Sequence, residues 1–205
     1  MIGLDVGGYR GTTIPRLINM GCNKIYCLEP CYDLFKICES VAEEHSNENV
    51  SIEVINKALH GDGEYILNLC GDGSTLLDPR QLGRKPDKTP PTEKVKGISF
   101  TSFIEQYELT HIDVIKMNCE GSEFIILEEL LKSGVSFNEM GVQFHSFDDH
   151  RNNLVERFID LGYDVWTHQR DEQDDFVWWS IMSKGKTPIL EKNNIDKLYT
   201  VKETA

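Results

Sequence analysis

The chain has 205 residues and 40% hydrophobic content, which supports one sizeable core and predicts a single domain. Its formal net charge of -13, with an isoelectric point near 4.9, disfavours nucleic acid as a partner, because an acidic surface repels phosphates. The sequence has no apolar run long enough to span a membrane and no signal-peptide pattern at its start, so we expect a cytoplasmic protein without a membrane partner.

The cysteines and histidines do not form a metal-binding pattern. The six cysteines include no Cys-x-x-Cys pair, and no cluster of Cys or His has the spacing of zinc ligands. We therefore predict reduced, mostly buried thiols and no metal site.

The first part of the chain alternates strands and helices. In order, the apolar periodicity predicts a strand and glycine turn over residues 2–11, a helix over 12–20, a strand over 24–28, a helix over 32–44 and a strand over 50–55. The strands are nearly continuous in apolar residues, which is typical of parallel strands covered by helices on both faces.

The middle part is less regular. Residues 57–59 and 65–69 predict a hairpin at the edge of the sheet, joined by a Gly-Asp-Gly turn. Residues 71–97 contain four prolines and predict a long loop that acts as a lid or insertion. A short helix over residues 101–107 is expected to have Thr101 or Ser102 as its cap.

The second half repeats the alternation. The pattern predicts a strand over 112–117, a helix over 123–132, a strand over 140–144, a helix over 152–161, a terminal antiparallel hairpin over 163–167 and 176–182, and a polar tail over 183–205. Together these elements predict an α/β fold with a mostly parallel sheet, in one domain of residues 1–182.

The turn at residues 5–11 is the first candidate site. It places three glycines directly after an apolar strand and before a helix, where positive φ or a close ligand is needed. Asp5 would repel a bound phosphate and attract an amino group or a sulfonium. This disfavours a dinucleotide-dependent oxidoreductase, which stays an alternative.

Further candidates follow the other strands, since ligands bind at the carboxyl ends of parallel strands. Glu29 ends the second strand, where a carboxylate can accept both hydroxyls of a ribose; the alternative is a solvated charge. Lys116 in a central strand should meet a carboxylate, for which Glu120 and Glu123 are candidates, in either a stabilising ion pair or a ligand site. His145 could act as a general base at neutral pH or be purely structural.

These residues resemble the FkbM-type S-adenosylmethionine-dependent methyltransferases. The resemblance spans roughly residues 2–182 and is carried by the Asp-Val-Gly-x-x-x-Gly turn at 5–11, Leu28-Glu29-Pro30, Asn56-Lys57-Ala58-Leu59, Ser74, the stretch 112–123 and Gln143-Phe144-His145. The Lys-x-x-x-Glu-Gly-x-Glu segment within 112–123 is its most specific part.

The resemblance implies a Rossmann-like class I methyltransferase with S-adenosylmethionine bound over the glycine turn. The expected cofactor-binding residues are Asp5, Gly7, Gly8, Gly11, Glu29, Pro30, Lys57, Ala58 and Asn118. Those expected to serve catalysis are His145, Glu120 and Asn118. The implied reaction is O-methylation of a hydroxyl on a small molecule or glycan.

The sequence departs from the family pattern at two positions and at its start. Asn118 and Gln143 stand where the family usually has aspartate and glutamate, which replaces a potential base or cation ligand by a neutral amide. Relatives commonly carry sequence before the glycine turn, whereas the first strand here begins at Met1. A non-catalytic relative that binds the cofactor or a partner therefore stays an alternative.

Overall fold

The computed structural model describes residues 1–82, 88–145, 149–169, 178–185 and 199–200, and within these the side chains of 72, 149, 167–169, 178–179 and 199–200 are not described. Five helices lie in this part of the chain: α1 (Ile14–Asn19), α2 (Tyr32–His45), α3 (Phe100–Gln106), α4 (Glu123–Ser133) and α5 (Asp149–Asp160). Two short 3-10 helices cover Gly71–Gly73 and Pro79–Leu82.

The described strands form one large and one small sheet. They are β1 (Ile2–Val6), β2 (Lys24–Leu28), β3 (Ser51–Ile55), β4 (Ala58–Leu59), β5 (Gly63–Asn68), β6 (Thr92–Ile98), β7 (His111–Met117), β8 (Ser136–Phe144), β9 (Asp164–Gln169), β10 (Trp178–Ser183) and β11 (Tyr199–Thr200). The large sheet has the order β11-β9-β10-β8-β7-β1-β2-β3.

The large sheet confirms the predicted fold class. Its strands β3, β2, β1, β7 and β8 are parallel, and β9 and β10 form an antiparallel pair beside β8. Because β1 lies between β2 and β7, the turns that follow these three strands meet at one edge of the sheet.

Helices cover both faces of this sheet. In β2, Ile25 and Cys27 face α1 and α2, whereas Tyr26 and Leu28 belong to the larger cluster that includes residues of α3, α4 and α5. Successive strand residues point to opposite faces, so a strand covered on both sides is apolar throughout.

The predicted hairpin of residues 57–59 and 65–69 is wrong. β4 pairs in parallel with β6, and β5 pairs antiparallel with β6, so β6 lies between them in a separate sheet of order β4-β6-β5. Residues 92–97 of the predicted loop 71–97 therefore belong to the strand β6. Val95 and Ile98 are its buried residues, but Glu93, Lys94 and Lys96 make the segment too polar to stand out from a loop.

Two smaller predictions also change. The cap of α3 is Ser99, whose hydroxyl accepts from Ser102 N at 3.0 Å, because Phe100 is buried and already belongs to the helix. Most of the predicted tail 183–205 lies outside the described residues, but β11 within it pairs with β9.

In the described part of the chain, no helix has the length and apolarity needed to cross a membrane.

Candidate functional site

A cavity of about 650 Å³ opens at the carboxyl ends of β1, β2, β7 and β8. Its lining comes from the turns after these strands, from β4 and β5, and from Gly71, Gly73, Ser74, Leu76 and Leu82. The volume is in the range of small-molecule sites. The order of the parallel strands thus creates one concave site from segments far apart in sequence.

The glycine turn after β1 is fixed by backbone contacts. Gly7 N and Gly8 N both donate to Leu28 O at 3.0 Å, and Asn118 N donates to Val6 O at 2.9 Å. Gly7 has a φ of 80°, and a Cβ there would lie 1.9 Å from Asn118 O. Only glycine fits this position, because any side chain would collide with the backbone of the neighbouring turn.

The partner of Lys116 is Asp5, which corrects the expectation of Glu120 or Glu123. Lys116 Nζ lies 2.9 Å from Asp5 Oδ1 and donates to Gly7 O at 2.7 Å. Asp5 is fully buried, and the two residues are register partners in adjacent strands. The ion pair therefore supports the turn from below, and Asp5 is not on the cavity wall.

Glu29 links the turn to the start of α2. Its carboxylate accepts from Tyr9 N at 2.8 Å through Oε2 and from Cys31 N at 2.9 Å through Oε1. Burial raises the pKa of Glu29 to about 7, although the two N–H donors oppose the increase. The side chain also lines the cavity, where its remaining lone pairs can accept hydroxyl groups.

A second polar group joins the turn after β7 to the end of β8. His145 Nε2 lies 3.2 Å from Glu120 Oε1, and His145 Nδ1 lies 3.4 Å from Glu123 Oε1. The buried carboxylate of Glu123 also accepts from His145 N at 2.7 Å and from Gly121 N at 2.8 Å. Glu123 thereby ties together the two segments that present Glu120 and His145 to the cavity.

The charge state of His145 differs from that of the general base that the sequence suggested. Burial by itself would lower its pKa, but the contacts with the carboxylates of Glu120 and Glu123 outweigh this and raise the pKa to about 9. The imidazole is therefore protonated at neutral pH. This state does not fit a general base that takes up a proton at that pH.

The raised pKa of His145 predicts a pH-dependent stability. Its contribution is fully present below the unfolded pKa of about 6.5 and is lost as the pH rises through about 9. We expect urea unfolding to show a loss of roughly 3 kcal/mol between neutral pH and pH 10 that is absent in His145→Gln. The prediction is contradicted if the free energy of unfolding depends on pH in the same way in the wild type and in His145→Gln.

The cavity brings together most of the predicted site residues. On its wall are Gly7, Gly8, Glu29, Pro30, Ala58, Asn118, Glu120 and His145, together with Gln143 and Ser74. The remaining three lie off the wall: Asp5 is beneath the turn, Gly11 packs against Val41, and Lys57 lies beside the cavity-lining Ala58.

Sequence reasoning missed Ser122, which also lines the cavity, and its partner His60. The pair is separated by 62 residues, so no local spacing could have indicated it.

Asn118 Oδ1 is buried and has no hydrogen-bond partner among the described residues. Within the same described residues, no group of three or more His, Cys, Asp or Glu side chains could hold a metal ion.

Comparisons with known proteins agree with this architecture. The family model described as "Methyltransferase FkbM domain" matches residues 5–170. No curated protein gives a significant match. An rRNA methylase from Streptococcus thermophilus is 11% identical, with 89% of this chain and 86% of that chain covered and a TM-score of 0.50. A putative methyltransferase from Streptococcus mutans in complex with SAH is 10% identical, with 89% and 88% covered and a TM-score of 0.50. At these identities the structures show a shared fold.

Proposed function

Because the chain belongs to the methyltransferase FkbM domain family and is an S-adenosylmethionine-dependent methyltransferase, we propose that its acceptor is a hydroxyl group of a small molecule or glycan. The observation that carries the proposal is the paired Glu120 and His145 on the cavity wall. The carboxylate of Glu120 can accept a hydrogen bond from an acceptor hydroxyl, and His145, whose two N–H groups face Glu120 and Glu123, holds that carboxylate in place. The acidic net charge of -13 supports a neutral acceptor over RNA.

The residues of the cavity fit S-adenosylmethionine. Gly7 and Gly8 line the cavity with backbone atoms, since a Cβ on either would collide with Asn118 O or Cys27 Sγ, and Glu29 offers carboxylate lone pairs to ribose hydroxyls. The unpartnered Oδ1 of Asn118 can accept from the ammonium group of the methionine part. We assign these roles together with Pro30 and Ala58, which line the same side.

The bound cofactor supplies a methyl group on an electrophilic sulfonium. The chain would hold the acceptor in line with this methyl, which is the main requirement of the reaction. Glu120, held by His145, would orient the acceptor hydroxyl, and the apolar side chains of Leu59 and Leu82 would exclude water around it. We further propose that residues 1–182 act as one domain and that residues 71–82, five of which line the cavity, belong to a lid.

Cofactor binding should depend on pH through Glu29. Ribose hydroxyls donate to the ionised carboxylate, so binding favours the deprotonated form of a group whose pKa is about 7. We expect the dissociation constant of S-adenosylmethionine to rise about tenfold for each pH unit below that pKa. At such pH, Glu29 should take up a proton when the cofactor is released. Isothermal titration calorimetry in buffers of different ionisation enthalpy measures both quantities.

Glu29→Gln should remove this pH dependence and weaken binding by about tenfold or more, since a charged acceptor is lost. Glu93→Gln is the matched control, because Glu93 on β6 also accepts from a backbone N–H, Tyr32 N at 3.1 Å, but is not among the residues that line the cavity. No binding of S-adenosylmethionine by the wild-type protein would refute the cofactor assignment.

The acceptor class is tested with S-adenosylmethionine labelled in its methyl group. Methyl α-D-glucopyranoside, catechol and an RNA oligonucleotide serve as acceptors of three classes. We expect transfer to one of the two hydroxyl compounds and none to RNA. RNA is included because the similar structure from Streptococcus thermophilus is an rRNA methylase. Transfer to RNA alone would overturn the proposed acceptor class.

A further inference from the structure

His60 and Ser122 form a pair beside the cavity that the roles assigned above do not use. His60 Nδ1 and Ser122 Oγ lie 3.0 Å apart, within hydrogen-bond distance. Ser122 lines the cavity and is buried, whereas His60 follows β4 and is half-buried behind it. The hydroxyl thus lies between the cavity and the imidazole.

The position of Ser122 makes this contact unusual. Ser122 is the N-cap residue of α4, where a serine normally accepts a hydrogen bond from a backbone N–H of the first turn. Here the side chain makes no such capping bond and contacts His60 instead. The preceding Glu120 and Gly121 have φ of 54° and 104°, so this turn departs from ordinary backbone conformation just before the serine.

The surroundings of His60 keep its imidazole neutral. Burial lowers its pKa from the ordinary 6.5, and the charge of Glu129 on α4 opposes this. On the side of β5 it meets the ring of Tyr65, with centroids 5.1 Å apart, and on the side of β6 its backbone N donates to Ile98 O. His145 is protonated at neutral pH, whereas His60 can still accept a proton.

We propose that Ser122 and His60 form a proton relay that removes the proton of the methyl acceptor. The inference rests on the proposed hydroxyl acceptor. Ser122 contacts the acceptor, and His60 is a positioning residue that acts through Ser122.

In the relay, the acceptor O–H proton passes to Ser122 Oγ while the serine proton passes to His60 Nδ1. The acceptor oxygen forms its bond to the methyl carbon, the carbon–sulfur bond breaks, and its electron pair stays on sulfur. The positive charge lost from the sulfonium appears on the imidazole, so charge is conserved. The step requires His60 in the tautomer that carries hydrogen on Nε2.

The resting state of the pair is tested without any acceptor. Long-range proton–nitrogen correlation NMR of the ¹⁵N-labelled protein should show His60 as the Nε2–H tautomer, with a pKa below 6.5. Ser122→Ala should change the chemical shift of His60 Nδ1. A tautomer with hydrogen on Nδ1, or a pKa at or above 6.5, would overturn the relay.

The kinetic test measures kcat at saturating S-adenosylmethionine, with catechol and methyl α-D-glucopyranoside as acceptors. His60→Gln and Ser122→Ala should each lower kcat by about 100-fold and remove the fall in rate at acidic pH. The double variant should be no worse than either single variant, because both remove one pathway. Ser122→Thr keeps a hydroxyl and should retain most of the activity.

The control is a second histidine–serine pair at the other end of β7. His111 Nδ1 and Ser136 Oγ lie 2.8 Å apart on the exposed surface, so His111→Gln should leave kcat unchanged. Calorimetry with S-adenosylmethionine separates the two proposals, since the relay variants should bind the cofactor as the wild type does. An unchanged acidic limb in His60→Gln would refute the relay while leaving the methyltransferase assignment intact.

Discussion

Replacing Lys116 with methionine should lower the free energy of unfolding by about 3–5 kcal/mol, because it leaves the carboxylate of Asp5 buried without its cation. Asp5 is fully buried, and its Oδ1 lies 2.9 Å from Lys116 Nζ. The same change removes the hydrogen bond to Gly7 O, so the glycine turn loses its support. Urea denaturation followed by circular dichroism measures the loss of stability, and calorimetry should show weakened binding of S-adenosylmethionine.

Lys132→Met is the matched control for this prediction. Lys132 also pairs with a carboxylate, Glu128, but at 3.8 Å and with 74% of its side chain exposed. Exposed pairs contribute little, so the control should change the free energy of unfolding by about 0.5 kcal/mol or less. Equal effects of the two substitutions would show that the buried pair does not support the turn.

Gly7→Ala is the second substitution with a large expected effect. The added Cβ would lie 1.9 Å from Asn118 O and 3.0 Å from Asn118 C, both of which are backbone atoms that no side-chain rotation can move. Positive φ adds a penalty of about 1–2 kcal/mol for a residue with a Cβ. We expect a total loss of about 3 kcal/mol or more and no measurable binding of S-adenosylmethionine, because the turn must open to relieve the overlap.

Gly134→Ala is the control that separates the steric overlap with Asn118 from the cost of a positive φ. Gly134 ends α4 with a φ of 74°, close to the 80° of Gly7, but a Cβ there meets no atom within 4 Å. The control should lose only the backbone contribution, about 1–2 kcal/mol, and bind the cofactor normally. Thermal unfolding and calorimetry on both variants make the comparison. Normal cofactor binding by Gly7→Ala would contradict the proposed close approach at this turn.

The sequence was sufficient for features that depend on near neighbours. Apolar periodicity located α2 and β2 to within a residue or so, because a buried face repeats with a fixed period. It also placed Glu29, Asn118 and His145 at the ends of strands, where the structure finds the cavity. Prediction failed at β6, whose alternating lysines resemble a loop until β4 and β5 pair on its two sides.

The sequence by itself determined the α/β alternation, the family and the turns that carry polar residues, since each of these is written in a short stretch of chain. Only the tertiary structure decided which polar groups meet. Lys116 reaches Gly7 across 109 residues and His60 reaches Ser122 across 62, because the sheet order and the small sheet bring their turns together. Strand order minimises the exposed apolar surface of the whole domain, so it cannot be read from any one segment.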